Sequence, residues 1–228
     1  MKLSHLTKCY GKRCVFRDFS LDIQSGEILC VLGESGGGKT TLLNSIAGLI
    51  SYEGRIENVP ERISYVFQEP RLLPHLSVRE NLRFVGGRDE VIDGILAKVE
   101  LSDKADSLAS RLSGGEKPRV ALARAFSTEF SLLLMDEPFS SLDTGLKIRL
   151  TETFATLWKT YGGKRTAVMV THDVEEALML ADRIVVLKGG EICFDKRVER
   201  TRFPEKYGEE SPLRGELLNV LIGENYGL

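Results

Sequence analysis

Apolar residues along the chain follow two alternating rhythms. Five runs of strand length, at 28–32 (ILCVL), 63–67 (ISYVF), 132–135 (LLLM), 167–171 (AVMVT) and 184–187 (IVVL), are separated by stretches whose apolar positions return with helical period. Four of the five are nearly unbroken, as strands covered on both faces must be, so the pattern predicts an α/β fold with a mostly parallel core sheet. Val91, Ile92, Ile95, Leu96 and Val99 mark one amphipathic helix behind a cap at Asp89, and Leu146, Leu150, Phe154, Leu157, Trp158 and Tyr161 mark another. A third opens at Asp173, with Glu176 three residues on as in a capping box.

The interval between 67 and 132 is too long for a simple crossover. With Pro70 and Pro74 marking turns, it predicts an inserted α-helical sub-domain over about 70–127. Residues 3–23 read as short strands around turns at Tyr10-Gly11 and Arg17-Asp18, an N-terminal antiparallel β sub-domain beside the main sheet. Beyond Lys196 the chain is polar until Ser211-Pro212, which opens a short terminal helix over about 211–223. The whole, 1–228, is expected to be one domain.

Composition narrows the function. With 31 basic and 33 acidic residues the net charge is −2, without the basic excess that phosphate neutralisation needs, so a nucleic-acid partner is not expected. No apolar run approaches the roughly 20 residues of a membrane span, and the first residues lack a secretory signal, so an intracellular protein is expected. Cys9, Cys14, Cys30 and Cys193 show no metal-ligand spacing and read as free thiols in a reducing compartment.

The chemistry begins at Gly33-Glu34-Ser35-Gly36-Gly37-Gly38-Lys39-Thr40, which follows one predicted strand and opens a helix, matching G-x4-G-K-[ST] in its required context. Such glycines let backbone N–H groups turn inward around phosphates, at the positive end of a helix dipole. Lys39 is placed to reach the β- and γ-phosphates, Thr40 to offer its hydroxyl to Mg²⁺, and Thr41 to complete the nucleotide-binding turn. The run at 132–135 ends in Asp136 and Glu137, whose side chains point opposite ways. That suits Asp136 to the Mg²⁺ shell and Glu137 to orienting or deprotonating the attacking water. A second anion site, Leu112-Ser113-Gly114-Gly115-Glu116, stands just before an alanine-rich helix.

Two anion sites in one chain suggest one nucleotide held between two chains. At this point the sequence resembles the ATP-binding cassette (ABC) transporter ATPases over nearly its whole length, with residues 112–116 matching their signature motif. The resemblance implies a P-loop NTPase fold, with Gln68 at the Q-loop glutamine, Ser141-Leu142-Asp143 at the D-loop, His172 at the switch histidine and Tyr10 at the aromatic that stacks on adenine. It makes Glu137, His172 and Gln68 catalytic, adds Gln68 to Thr40 and Asp136 around the metal, and has Ser113, Gly114, Gly115, Glu116 and Asp143 bind the ATP of a second copy. Taken singly, the same residues read as a polar turn at Gln68, a helix cap at Asp143, a surface histidine at His172 and a turn tyrosine at Tyr10. The family commonly has Gln where Pro118 stands, yet proline is tolerated in a first helical turn and that helix is expected to survive.

The implied protein is a homodimer on ATP at the cytoplasmic face of the membrane, driving integral-membrane permease subunits fed by an extracytoplasmic solute-binding protein. The stretch from Val66 through Asn81, and the short C-terminal region, resemble the nitrate, sulfonate and taurine importers. Within it, Leu72, Leu73 and Leu76 form an apolar loop that either docks the permease or seals the helical sub-domain. The alternatives are an ATPase of a lipid- or lipoprotein-extruding ABC system and a soluble non-transport ABC ATPase. The latter would need coiled-coil inserts or a tandem second cassette.

Overall fold

The computed structural model describes residues 1–140, 142–198 and 212–222. In chain order the elements are β1 (Lys2–Tyr10), β2 (Arg13–Asp22), β3 (Ile28–Gly33), α1 (Lys39–Ile46), β4 (Glu53–Glu57), β5 (Ile63–Val66), α2 (Val78–Phe84), α3 (Asp89–Lys98), α4 (Glu116–Phe126), β6 (Leu132–Asp136), α5 (Thr144–Leu157), β7 (Thr166–Thr171), α6 (Val174–Leu180), β8 (Arg183–Lys188), β9 (Glu191–Arg197) and α7 (Pro212–Ile222). They divide between two compact units, Met1–Glu61 together with the chain from Thr166 onward, and Arg62–Arg165.

In the first unit β3 is flanked by β7 and β8 in parallel register, Leu32 opposite Thr171 and Gly33 opposite Leu187, and β9 closes the edge antiparallel to β8. Every residue of β3 and β7 is buried, as their unbroken apolar runs predict. Helices α1 and α6 both pack on β3 and β7, and α7 packs on α6 through the fully buried Leu217. A separate antiparallel sheet, β2-β1-β4, forms the N-terminal part. Its hairpin turns at Gly11-Lys12, with Tyr10 paired to Arg13. The turn expected at Arg17-Asp18 is instead a bulge within one long strand, where Asp18 (φ 56°) and His5 (φ 55°) take left-handed backbone and their side chains meet.

The same hairpin corrects the reading of the cysteines. Cys9 and Cys14 lie directly opposite each other in the β1–β2 register and are joined by a disulfide, while Cys30 and Cys193 form none. A spacing of five carries no such signal by itself; the tight turn at Gly11 brings the pair together.

In the second unit β5 and β6 pair in parallel, Val66 opposite Met135, and α4 packs on β5 and on α2, α3 and α5. Phe126, Phe130, Phe154 and Trp158 form one aromatic cluster with centroid separations of 5.5 to 6.5 Å, and the Arg165 guanidinium lies 4.3 Å over Phe130. The helix predicted through Tyr161 ends at Leu157 and continues as a π turn over Trp158–Gly162, which stacks Trp158 on Phe154. Helix α3 begins at Asp89 with Arg88 as its cap, and α4 runs unbroken through Pro118. Ser211, the expected cap of the terminal helix, and Ser141 lie outside the described residues.

Candidate functional site

In the first unit the phosphate loop leaves the buried end of β3. Gly37 N–H closes a turn onto the Glu34 carbonyl (3.1 Å), and α1 begins at Lys39 with no side-chain cap and no acidic residue in its first turn. Helices α2, α5 and α6 are capped by Ser77, Asp143 and Asp173, whereas α3 and α4, uncapped like α1, carry Asp89, Glu90 and Glu116 in their first turns, where α1 has no acidic residue. Gly38 has φ 97°, and a Cβ there would stand 2.5 Å from Val15 Cγ1 and 3.0 Å from the Phe16 ring, so this position of the loop is tailored to glycine by β2. Lys39 is only 4% exposed, and its Nζ donates to the carbonyls of Gly33 (2.8 Å) and Glu34 (3.0 Å). Thr40 and Thr41 follow in the first turn of α1, Thr40 exposed and Thr41 half-buried, with the Thr41 carbonyl accepting from Ser45 Oγ.

A cleft of about 310 Å³ runs beside this loop, lined by Glu34, Ser35, Gly36 and Gly37 and by two segments that sequence reasoning did not single out. One is Arg13, Cys14 and Val15 on β2; the other runs from Leu187 and Lys188 at the end of β8 through Gly189 and Gly190 of the turn into β9. The Arg13 guanidinium donates to the Gly36 carbonyl at 3.3 Å, linking the hairpin to the loop. The basic Lys-Gly-Gly of the second segment was readable as a turn, but its position needed the β3–β8 register. Tyr10 ends β1 with the residue 51% exposed and Lys8 Nζ 4.9 Å from its ring centroid. His172 is exposed in the bend between β7 and α6.

The second unit gathers another set. Asp136, the last residue of β6, is 5% exposed, and its charge joins burial in pushing the Tyr65 hydroxyl well above its usual range. Glu137 follows with φ 43°, a left-handed backbone in a non-glycine residue standing before Pro138. Ser140 Oγ donates to the Glu137 carbonyl (3.0 Å) and receives the Gln68 amide at 3.5 Å, so Gln68 and Glu137 are brought together. The β5–β6 register explains why: each stands two residues beyond the paired Val66 and Met135.

In the signature, Glu116 accepts from Ser113 N–H (2.7 Å), which holds its carboxyl below the usual range, and Glu116 N–H donates to Ser113 Oγ (3.3 Å). Ser113 and Gly114 are exposed and Gly115 is half-buried, where an added Cβ would stand 2.6 Å from Leu146 Cδ2. Asp143 caps α5 by accepting Leu146 N–H at 3.0 Å. Leu72, Leu73 and Leu76 are half-buried, and the loop is pinned by a residue whose role sequence reasoning missed: buried Asn81 bonds the backbone of Leu73, Leu76 and Ser77. Half-buried Arg124 holds the carbonyls of Pro70 and Arg71 at 2.9 Å.

Residues 16–140 match the family described as ABC transporter. The chain is 42% identical over 228 residues to the aliphatic sulfonates import ATP-binding protein SsuB of Granulibacter bethesdensis, covering 97% of this chain and 94% of that one. The chain belongs to the ABC transporter family. A second relative of the same description, from Rhizobium johnstonii, is 39% identical with 100% and 88% coverage. Among solved structures, cbiO1 of Clostridium perfringens superposes with a TM-score of 0.75 at 26% identity, covering 86% of this chain and 87% of that one. The dimeric bacterial ABC cassette MJ0796 does so with 0.75 at 29%, covering 87% and 99%. As an ABC ATP-binding subunit the chain hydrolyses ATP to drive transport across a membrane. Among the described residues no helix is long and apolar enough to cross one.

Proposed function

We propose that this cassette energises import of a small organic oxyanion of the aliphatic sulfonate class, as a homodimer closing around two ATP molecules. It would sit at the cytoplasmic face, docked on integral-membrane permease subunits supplied by an extracytoplasmic solute-binding protein. The observation that carries the cargo class is the 42% identity, sustained over nearly the full length, to a protein described as a sulfonate import subunit. Import is favoured over lipid extrusion because the relatives compared are import proteins.

The geometry supports a division of labour. The backbone N–H groups of residues 33–41 and the Lys39 ammonium bind the phosphates, and the open end of α1 adds its dipole. Tyr10 offers an exposed ring for the adenine. Thr40 hydroxyl, Asp136 carboxylate and Gln68 amide are hard oxygen donors, the set Mg²⁺ prefers, and these residues would hold it. When bound, Mg²⁺ neutralises charge on the phosphates. Glu137 orients the attacking water and accepts its proton, and His172 supports the γ-phosphate. Ser113, whose oxygen accepts Glu116 N–H, keeps its own proton to donate, and with Gly114, Gly115, Glu116 and Asp143 it contacts the ATP of the second copy.

Glu137→Gln tests the assignment. Hydrolysis should fall roughly 10²- to 10⁴-fold, the usual worth of a positioned base, while ATP affinity is kept and size-exclusion chromatography shows an ATP-dependent dimer. A monomer with normal turnover would remove Glu137 from that role. For the cargo, ATPase activity of the reconstituted complex should rise with an aliphatic sulfonate and its binding protein, and a flat response would overturn the cargo class.

A further inference from the structure

His172 sits on a loop closed by two buried side chains to which no role above is assigned. Thr171, the last residue of β7, and Glu176, in the first turn of α6, are each 1% exposed. Thr171 Oγ1 donates to Glu176 Oε2 at 2.6 Å and accepts the Asp173 N–H at 3.0 Å. Asp173 Oδ1 accepts the N–H groups of Glu175 (2.8 Å) and Glu176 (3.3 Å), and its carbonyl accepts Ala177 N–H. These bonds form a ring that runs from the strand end through the cap to the helix and back, with exposed His172 inside it.

The spacing Asp173-x-x-Glu176 suggests a capping box, which would leave Glu176 solvated at the helix start. An acid there gains from the helix dipole without being buried, so capping does not account for its burial. Burying a carboxylate is far more costly than a dipole interaction returns, and an apolar residue would fill the space more cheaply. What the buried carboxyl adds is a short hydrogen bond of fixed direction to the strand end. Thr171 is registered opposite Leu32, one residue before the phosphate loop begins. A bond fixing Thr171 to α6 therefore fixes the backbone of His172 in the same frame as that loop.

We propose that Thr171 and Glu176 are a positioning pair for His172, acting on ATP turnover through the histidine and not by contact with nucleotide. This rests on the assignment of His172 above. Misplacing a catalytic group by about 1 Å can lower turnover about 10²-fold, whereas nucleotide affinity is set by the loop and α1. Glu176→Ala and Thr171→Val should each lower kcat roughly 10- to 100-fold, with the Kd of a fluorescent ATP analogue changed less than about threefold. Glu176→Gln, which keeps an acceptor oxygen, and Thr171→Ser, which keeps the hydroxyl, should stay within about threefold of the parent. The Thr171→Val/Glu176→Ala double variant should be no slower than the worse single one, because both break the same bond.

The chain has three histidines, so the imidazole resonances of His172 should move in Glu176→Ala while those of His5 and His75 stay in place. If Glu176→Ala fails to fold, near-isosteric Thr171→Val decides. A folded Thr171→Val with normal kcat, or a kcat loss matched by an equal loss of nucleotide binding, overturns the pair. If His172→Ala turns over normally, the role of His172 fails instead; an inactive His172→Ala beside a fully active Glu176→Ala sinks the positioning pair alone.

Discussion

Replacing Gly38 by alanine tests how the hairpin strand shapes the phosphate loop. Two penalties arise at this position. Holding a Cβ-bearing residue at φ 97° costs roughly 1 kcal/mol. The new Cβ would also lie 2.5 Å from Val15 Cγ1 and 3.0 Å from the Phe16 ring, and neither can retreat easily: valine is stiff at χ1 and Phe16 is fully buried. Overpacking of this kind costs about 1 to 3 kcal/mol, so the total is about 2 to 4 kcal/mol, a large share of the roughly 5 to 15 kcal/mol that holds a domain folded. Gly48 supplies the control, because it has φ 68° but nothing within 4 Å of an added Cβ, leaving only the backbone penalty of about 1 kcal/mol.

Urea unfolding of Gly38→Ala, Gly48→Ala and the parent should therefore rank Gly38→Ala lowest, with the gap between the two variants measuring the contact with β2. Part of the strain can be relieved by pushing the loop away from the hairpin, and that displaces the N–H groups proposed above to bind phosphate. Affinity for a fluorescent ATP analogue should thus drop about tenfold or more in Gly38→Ala, equivalent to about 1.4 kcal/mol, and stay at the parent value in Gly48→Ala. Adding Val15→Ala to Gly38→Ala should recover part of both losses. Equal stability of the two alanine variants, with equal affinity, would refute the claim that β2 dictates glycine here.

Two further outcomes follow from the first unit. The Arg183 guanidinium holds the Asp195 carboxyl below its usual range through two hydrogen bonds of 2.7 and 2.6 Å, so the pair's contribution is present above the unfolded pKa near 3.9 and is lost as pH falls through the depressed folded value. Asp195→Asn should lower the melting temperature by about 2 °C at pH 7, a modest loss because the carboxylate is partly exposed, and the gap should close on acidification below pH 4; a gap independent of pH would contradict it. Reducing the Cys9–Cys14 disulfide removes a loop constraint of only a few residues, worth about 2 kcal/mol, so dithiothreitol should lower the urea midpoint without altering the circular dichroism spectrum. Rapid alkylation of both cysteines without reductant would show the bridge to be absent in solution.

The legible parts of this sequence were those where one residue type has one physical use. Buried strands announced themselves as apolar runs, and the tight turn from β3 into α1 as glycines followed by lysine and threonine. The edges were harder to read. Strands β4 and β9 carry charged, exposed residues and show no apolar run, since their pairing is set by neighbours in the sheet. The disulfide, the bulge at Asp18 and the Leu187 to Gly190 segment beside the phosphate loop all depend on which residues face each other across strands, and register is not written in local composition. Asn81 was hidden for another reason: a buried amide that bonds three backbone carbonyls looks, in sequence, like any polar residue of a helix.

Register also explains why the proposed chemistry collects where it does. In the first unit the phosphate loop leaves β3 just beyond Leu32 while His172 follows its partner Thr171; in the second, Gln68 and Glu137 each lie two residues past a paired position. Within each unit parallel strands end on the same side, so residues far apart in sequence leave that unit's strands together, at the carboxyl edge where open α/β sheets bind ligands. Glu137 goes further than topology requires. A residue before proline favours extended backbone, yet Glu137 holds φ 43°, a conformation that costs a non-glycine residue roughly 1 to 2 kcal/mol. Glycine would relieve that strain but would remove the carboxylate. Strain held at one carboxylate, beside the buried Asp136, is what a turn built to aim that carboxylate would show.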